Sequence, residues 1–113
     1  MSIQVNLMSE YTPDSWVILK VTSESEVTYK VLGGWSGGYL DGDCWRMNSG
    51  IVNCTSEGDY WHFHGHSGSV YKCGLDSYGI SMSTSVIYDE LIRYFGNKVE
   101  LMPEDTNWTD IEW

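Results

Sequence analysis

Trp16-Val17-Ile18-Leu19-Lys20-Val21-Thr22, then Ser23-Glu24-Ser25-Glu26, then Val27-Thr28-Tyr29-Lys30-Val31-Leu32, is the stretch that decides the fold class. The first run is rich in β-branched residues and apolar on both faces for most of its length, which predicts a strand. In the last run Val27, Tyr29 and Val31 alternate with Thr28 and Lys30, the period of a second strand. The polar segment between them completes a β-hairpin.

Working outward, Ile3, Val5 and Leu7 alternate as a short strand before the turn Thr12-Pro13-Asp14. Downstream, strands are expected at Cys44–Met47, Ile51–Cys54, Tyr60–His64, Ser69–Cys73 and Tyr78–Met82, separated by Gly-, Ser- and Asp-rich turns. One helix is expected over Ser85–Phe95, capped by Ser83, Thr84 or Ser85 and stopped at Gly96-Asn97. Its Ile87, Leu91, Tyr94 and Phe95 form one apolar stripe. Val99–Met102 then adds an edge strand before Pro103. The expected architecture is α+β and mainly β: a curved antiparallel sheet or small partly open barrel with one C-terminal amphipathic helix. A single domain over residues 1–103 would carry an acidic tail, 104–113.

Sixteen acidic residues against six basic ones give a net charge of −10. That field repels nucleic acid and anionic membranes and attracts a basic protein surface. No stretch reads as a transmembrane span, secretory signal or lipidation site, so a cytoplasmic protein is expected. The odd count of cysteines, Cys44, Cys54 and Cys73, fits free thiols better than a disulfide framework. Residues 100–113 hold Glu100, Glu104, Asp105, Asp110 and Glu112 and no basic residue. Trp108 and Trp113 are interleaved with those carboxylates, and a purely solvating tail has little need of two tryptophans. Glu104, Asp105, Trp108, Asp110, Glu112 and Trp113 are therefore candidate docking residues, for a partner or for the tail's own domain.

The candidate ligand site lies in the glycine-rich segment Val31–Ile51. Its glycines allow close approach of a partner, and Trp35, Tyr39 and Trp45 supply flat faces for a base or other planar ligand. Arg46 can meet a phosphate, although pairing with Asp41 or Asp43 is the structural alternative. Ser36, Asn48 and Ser49 can complete hydrogen bonds. His62 and His64 share one face of a strand and are added to the site. Tyr39 and Trp45 with Ser36 and the histidines would thus surround one ligand.

Several chemistries are poorly supported. Gly33–Gly38 lacks the Gly-Lys-Ser/Thr ending of a phosphate loop, and no Gly-x-Ser-x-Gly elbow occurs. His62-Phe63-His64-Gly65-His66 differs from the histidine-triad nucleotide hydrolases, whose motif has apolar residues where this chain has Gly65, Ser67 and Gly68. No zinc-ligand spacing is present, so no catalytic residue, metal or cofactor is expected, with a metal-dependent activity at His62, His64 and His66 left as an alternative.

Tyr29 through Leu40, continuing through Gly42-Asp43, Trp45-Arg46 and Asn48-Ser49-Gly50-Ile51, resembles small accessory proteins of large tailed bacteriophages. Leu101-Met102-Pro103-Glu104-Asp105-Thr106 shares that likeness. The resemblance carries no assigned activity. It implies a counter-defence or host-modulating role in the host cytoplasm, exercised by stoichiometric binding, or a place in the virion. The leading expectation is a non-enzymatic protein that sequesters a nucleotide-like small molecule, with a homodimer as the arrangement that would enclose the ligand better than one copy. The alternative is an acidic mimic of nucleic acid that occludes a basic groove on a host nuclease or polymerase.

Overall fold

The structure, a computed structural model, describes residues 10–38 and 42–113, with side chains outside 36–38 and 42–43. The expected strand at Ile3–Leu7 and the side chains of Ser36, Tyr39, Asp41 and Asp43 lie outside the described residues. Eight strands and one helix follow in order: β1 (Glu10–Tyr11), β2 (Ser15–Thr22), β3 (Val27–Gly38), β4 (Gly42–Met47), β5 (Ile51–Glu57), β6 (Tyr60–Gly65), β7 (Val70–Gly74), α1 (Met82–Phe95) and β8 (Val99–Leu101). The protein is mainly β with a single C-terminal helix, as its sequence predicts. The strands form two four-stranded sheets, β1-β7-β6-β5 and β4-β3-β2-β8, and no closed barrel.

The two-faced apolarity of β2 follows from its place between layers. Trp16 and Ile18 face the other sheet, where they pack with Val31, Ile51, Phe63, Tyr71 and Cys73. Val17 and Leu19 face the opposite way, into a second cluster with Leu32, Val99 and the helix residues Ile87, Leu91 and Ile92. The β2–β3 hairpin runs in register from Ser15–Gly34 to Thr22–Val27, and β8 closes the other edge of β2. β1 pairs with β7 in parallel, Glu10 with Val70 and Tyr11 with Tyr71.

Two local expectations are corrected. The Gly33-Gly34 segment is strand rather than loop, paired with Arg46 and Trp45 of β4. Neither glycine is among those with positive φ; both are needed because other groups lie against them. A methyl on Gly33 would sit 2.9 Å from Pro13 Cβ, and one on Gly34 would sit 2.3 Å from Ser83 Oγ. Tyr78–Met82 is not a strand: Tyr78 makes one isolated bridge to Trp16, and the helix already begins at Met82. Its N-cap is Ser81, whose N–H donates to Thr84 Oγ1 at 2.9 Å, which sets the start one turn earlier than the serine and threonine run predicts.

Of the two docking alternatives for the tail, the structure takes its own domain. Residues 104–113 pack onto the domain. Trp108 starts a 3-10 turn, Trp108–Asp110, and is 1% exposed. Its ring lies 6.0 Å from Trp16, 6.0 Å from Phe63 and 5.9 Å from Tyr78. Trp113 meets Tyr29 edge-on at 5.2 Å. The Tyr78 hydroxyl ties this seam to β2, accepting from Ile18 N and donating to the Met102 carbonyl. Trp108 is thus a core residue and is unavailable as an anchor for another protein. Glu104, Asp105, Asp110 and Glu112 remain on the surface.

The three cysteines are thiols, Cys44 exposed and the other two buried. Burial pushes Cys54 up to about 12 and Cys73 well above the ordinary thiol range. Because the thiolate is the reacting species, one thiol per chain is expected to react rapidly with an aromatic disulfide reagent at pH 8, and all three after denaturation. Rapid reaction of two or more in the native protein would contradict this packing.

Candidate functional site

Strand alternation sorts the expected site residues onto separate surfaces. Arg46 is paired with Gly33 and Trp45 with Gly34, so the two neighbours on β4 project to opposite sides of the sheet. Trp45 stands on the side of Gly34, whose face meets the helix start, and is 45% exposed. Arg46 lies on the side facing the other sheet. There its guanidinium sits 4.4 Å from the centre of the Tyr11 ring, a cation–π contact. Trp35 adjoins this group through an edge contact with Tyr11 at 6.4 Å, but its indole N–H is engaged by the Thr12 carbonyl at 2.9 Å.

His62 and His64 belong elsewhere. Phe63 is in the core between the sheets, so its two neighbours on β6 face outward. His62 Nδ1 lies 3.8 Å from Glu57 Oε1, and His66 is beyond the end of the strand. Among the described residues no three His, Cys, Asp or Glu side chains gather as metal ligands. The histidines and Trp45 therefore do not join Arg46 around one ligand. Ser36 and Tyr39 lie outside what is described, as does the pairing of Arg46 with Asp41 or Asp43.

What the fold does assemble is a pocket of about 340 Å³ at one end of the inter-sheet seam, lined by Tyr11, Arg46, Asn48, Ser49, Ser69 and Tyr71. Each wall has a separate origin. Tyr11 comes from the parallel β1 and packs on Tyr71 of β7, with ring centres 5.1 Å apart. Arg46 ends β4. Asn48 and Ser49 follow in the connection to β5, and the Ser49 hydroxyl bonds Ser67 across the rim at 3.4 Å.

Asn48 is the best-fixed member. It is 5% exposed, and its backbone N–H donates to the Val31 carbonyl at 3.1 Å. Its Oδ1 accepts from Val31 N at 2.9 Å. With the carbonyl side so engaged, the amide orientation is set and Nδ2 points away from β3. That NH₂ is buried and has no hydrogen-bond partner. A buried donor without an acceptor costs about 1–3 kcal/mol, and a native protein retains few of them.

Electrostatics favour an acceptor here. Arg46 has only donors, and the described residues place no carboxylate within ion-pair distance of it. Burial pushes the Tyr71 hydroxyl up to about 12, against the opposing pull of Arg46. Tyr71 is therefore a neutral O–H across the physiological range. In a chain of net charge −10, this pocket offers a guanidinium, an amide NH₂, two phenols and a rim of serine hydroxyls.

No protein-family model, curated protein or solved structure matches the chain. Among the described residues no helix is long and apolar enough to cross a membrane. Arg46, Asn48 and Ser49 of the pocket were legible in the sequence. Tyr11, Tyr71 and Ser69 were not, since Tyr11 sits in a two-residue strand and its parallel partner lies about sixty positions away. The Gly-Ser turn after the histidines was the available signal for Ser69.

Proposed function

We propose that this chain is a non-enzymatic binding protein that takes a small anionic, nucleotide-like ligand into the pocket between Tyr11, Arg46, Asn48 and Tyr71. The observation that carries this reading is the Asn48 amide, whose oxygen is held by the backbone while its buried NH₂ lacks an acceptor. Arg46 supports it, because a guanidinium held over an aromatic ring by a cation–π contact still has N–H groups for a phosphate or carboxylate. The volume of about 340 Å³ fits the lower end of small-ligand sites. The backbone already holds Asn48 in place, so little freedom is lost when its NH₂ meets an acceptor, which favours binding. The resemblance to tailed-phage accessory proteins would make this binding a sequestration step directed against the host.

Titration of the four ribonucleoside monophosphates by calorimetry tests the reading. At least one is expected to bind, and Arg46→Ala is expected to weaken it by about 10- to 100-fold, the worth of a charge-assisted contact. Arg46 is exposed, so the variant should keep its fold. Failure of all four to bind, or an unchanged affinity in the folded variant, would remove the reading.

A further inference from the structure

A second cavity, of about 300 Å³, opens on the other face of sheet β4-β3-β2-β8, under the C-terminal half of α1. Its floor crosses the whole sheet, from Val99 of β8 through Val21 of β2 and Lys30 of β3 to Met47 of β4. Leu91 and Phe95 of α1 form its roof, and Phe95 is 52% exposed, which leaves the cavity a mouth. Four neighbouring strands at ordinary spacing make this a slot about 14 Å long. Strand register puts a lysine in it. Lys30 pairs with Leu19, which faces the helix, so the two share that side of the sheet.

Every other residue lining the slot is apolar. Water gains few hydrogen bonds on such a wall, so an apolar group displaces it readily. Lys30 is half-buried there, and among the described residues no carboxylate lies within ion-pair distance of its ammonium. In a chain with sixteen acidic residues and six basic ones, a lysine without a carboxylate partner is notable. The slot and the cation together define the occupant. A second copy of the chain is disfavoured, because two bodies of charge −10 repel each other. A neutral hydrocarbon would fill the slot and leave the ammonium without a counter-charge. A molecule with an apolar chain and one anionic end satisfies both. We infer that the slot under α1 binds a medium-length acyl chain, with its carboxylate on Lys30. Arg46 faces the other way, towards the second sheet, so this site stands apart from the anion pocket and does not rest on that reading.

NMR titration of the intact protein with octanoate tests the site, with 1-octanol as the ligand of the same chain and no charge. Both are expected to shift the amide signals of Val21, Lys30 and Val99 saturably. Lys30→Met keeps the stem and removes the ammonium. It is expected to weaken octanoate about ten-fold, the scale of a hydrogen bond to a charged group, and to leave octanol unchanged. Lys30→Arg should keep octanoate binding, and Lys30→Gln replaces Lys30→Met if that variant fails to fold. Arg46→Ala is expected to leave octanoate binding as it was. Absence of saturable octanoate binding, or shifts centred on Arg46 and Asn48 instead, would overturn the inference. So would an unchanged octanoate affinity in Lys30→Met, or an equal loss for octanoate and octanol.

Discussion

Trp108→Ala is expected to lower stability by about 3–5 kcal/mol, the range for removing a fully buried tryptophan ring. The ring is 1% exposed and meets Trp16, Phe63 and Tyr78 at 5.9–6.0 Å, so its loss leaves a cavity at the centre of the larger core. Each aromatic pair contributes about 0.5–1.5 kcal/mol beyond area burial. Against a total of about 5–15 kcal/mol for a domain of ordinary stability, this is a large fraction. Urea unfolding followed by near-UV circular dichroism would read it as a lower midpoint. A loss below about 1 kcal/mol, small for any buried large-to-small change, would mean that residues 104–113 are held only loosely. The same packing changes what deleting those residues reports. Truncation removes a core side chain together with the surface carboxylates, so it cannot separate an acidic docking role from simple unfolding. Replacing Glu104, Asp105, Asp110 and Glu112 with their amides tests the charges alone.

Gly34→Ala is expected to be the most damaging single-methyl insertion in the sheet. The added carbon would lie 2.3 Å from Ser83 Oγ, 2.8 Å from Thr84 Cγ2 and 3.0 Å from Ser81 Oγ. Thr84 is 1% exposed, and Ser83 Oγ is hydrogen-bonded to Ser81 Oγ at 2.8 Å, so these groups have little room to yield. The first turn of α1 must move off β3, with a cost of about 1–3 kcal/mol or somewhat more. Thermal unfolding measures the loss. Adding Ser83→Ala removes the closest atom and should restore part of the stability, a non-additivity expected only for groups in contact. Full additivity of the two changes would show that the helix does not rest on this glycine.

The contrast between Gly34 and β2 shows what was legible. Trp16–Thr22 announces a strand because β-branched and apolar residues suit a pleated surface whatever covers it. Its apolarity on both faces reflects a helix on one side and a second sheet on the other. Gly33-Gly34 carries the opposite local signal, since glycine in tandem reads as a turn. Long-range packing overrode it: Pro13 and the helix start fill the space that side chains would have taken. The docking of Trp108 and the parallel pairing of Tyr11 with Tyr71 join segments distant in sequence and leave no periodic trace. For the site, the alternation of β4 already separates Trp45 from Arg46, so grouping them round one ligand conflicted with the strand expected there. Arg46 and Asn48 were found because their chemistry is conspicuous in any context.

The burial of Trp108 also sets an order of events as the chain leaves the ribosome. Every strand, and the helix that covers one sheet, has been synthesised by Leu101. The seam holding Trp16, Phe63 and Tyr78 nevertheless stays open until residue 108 clears the exit tunnel. Until then Trp16, Phe63 and Tyr78 lack the ring that packs against all three.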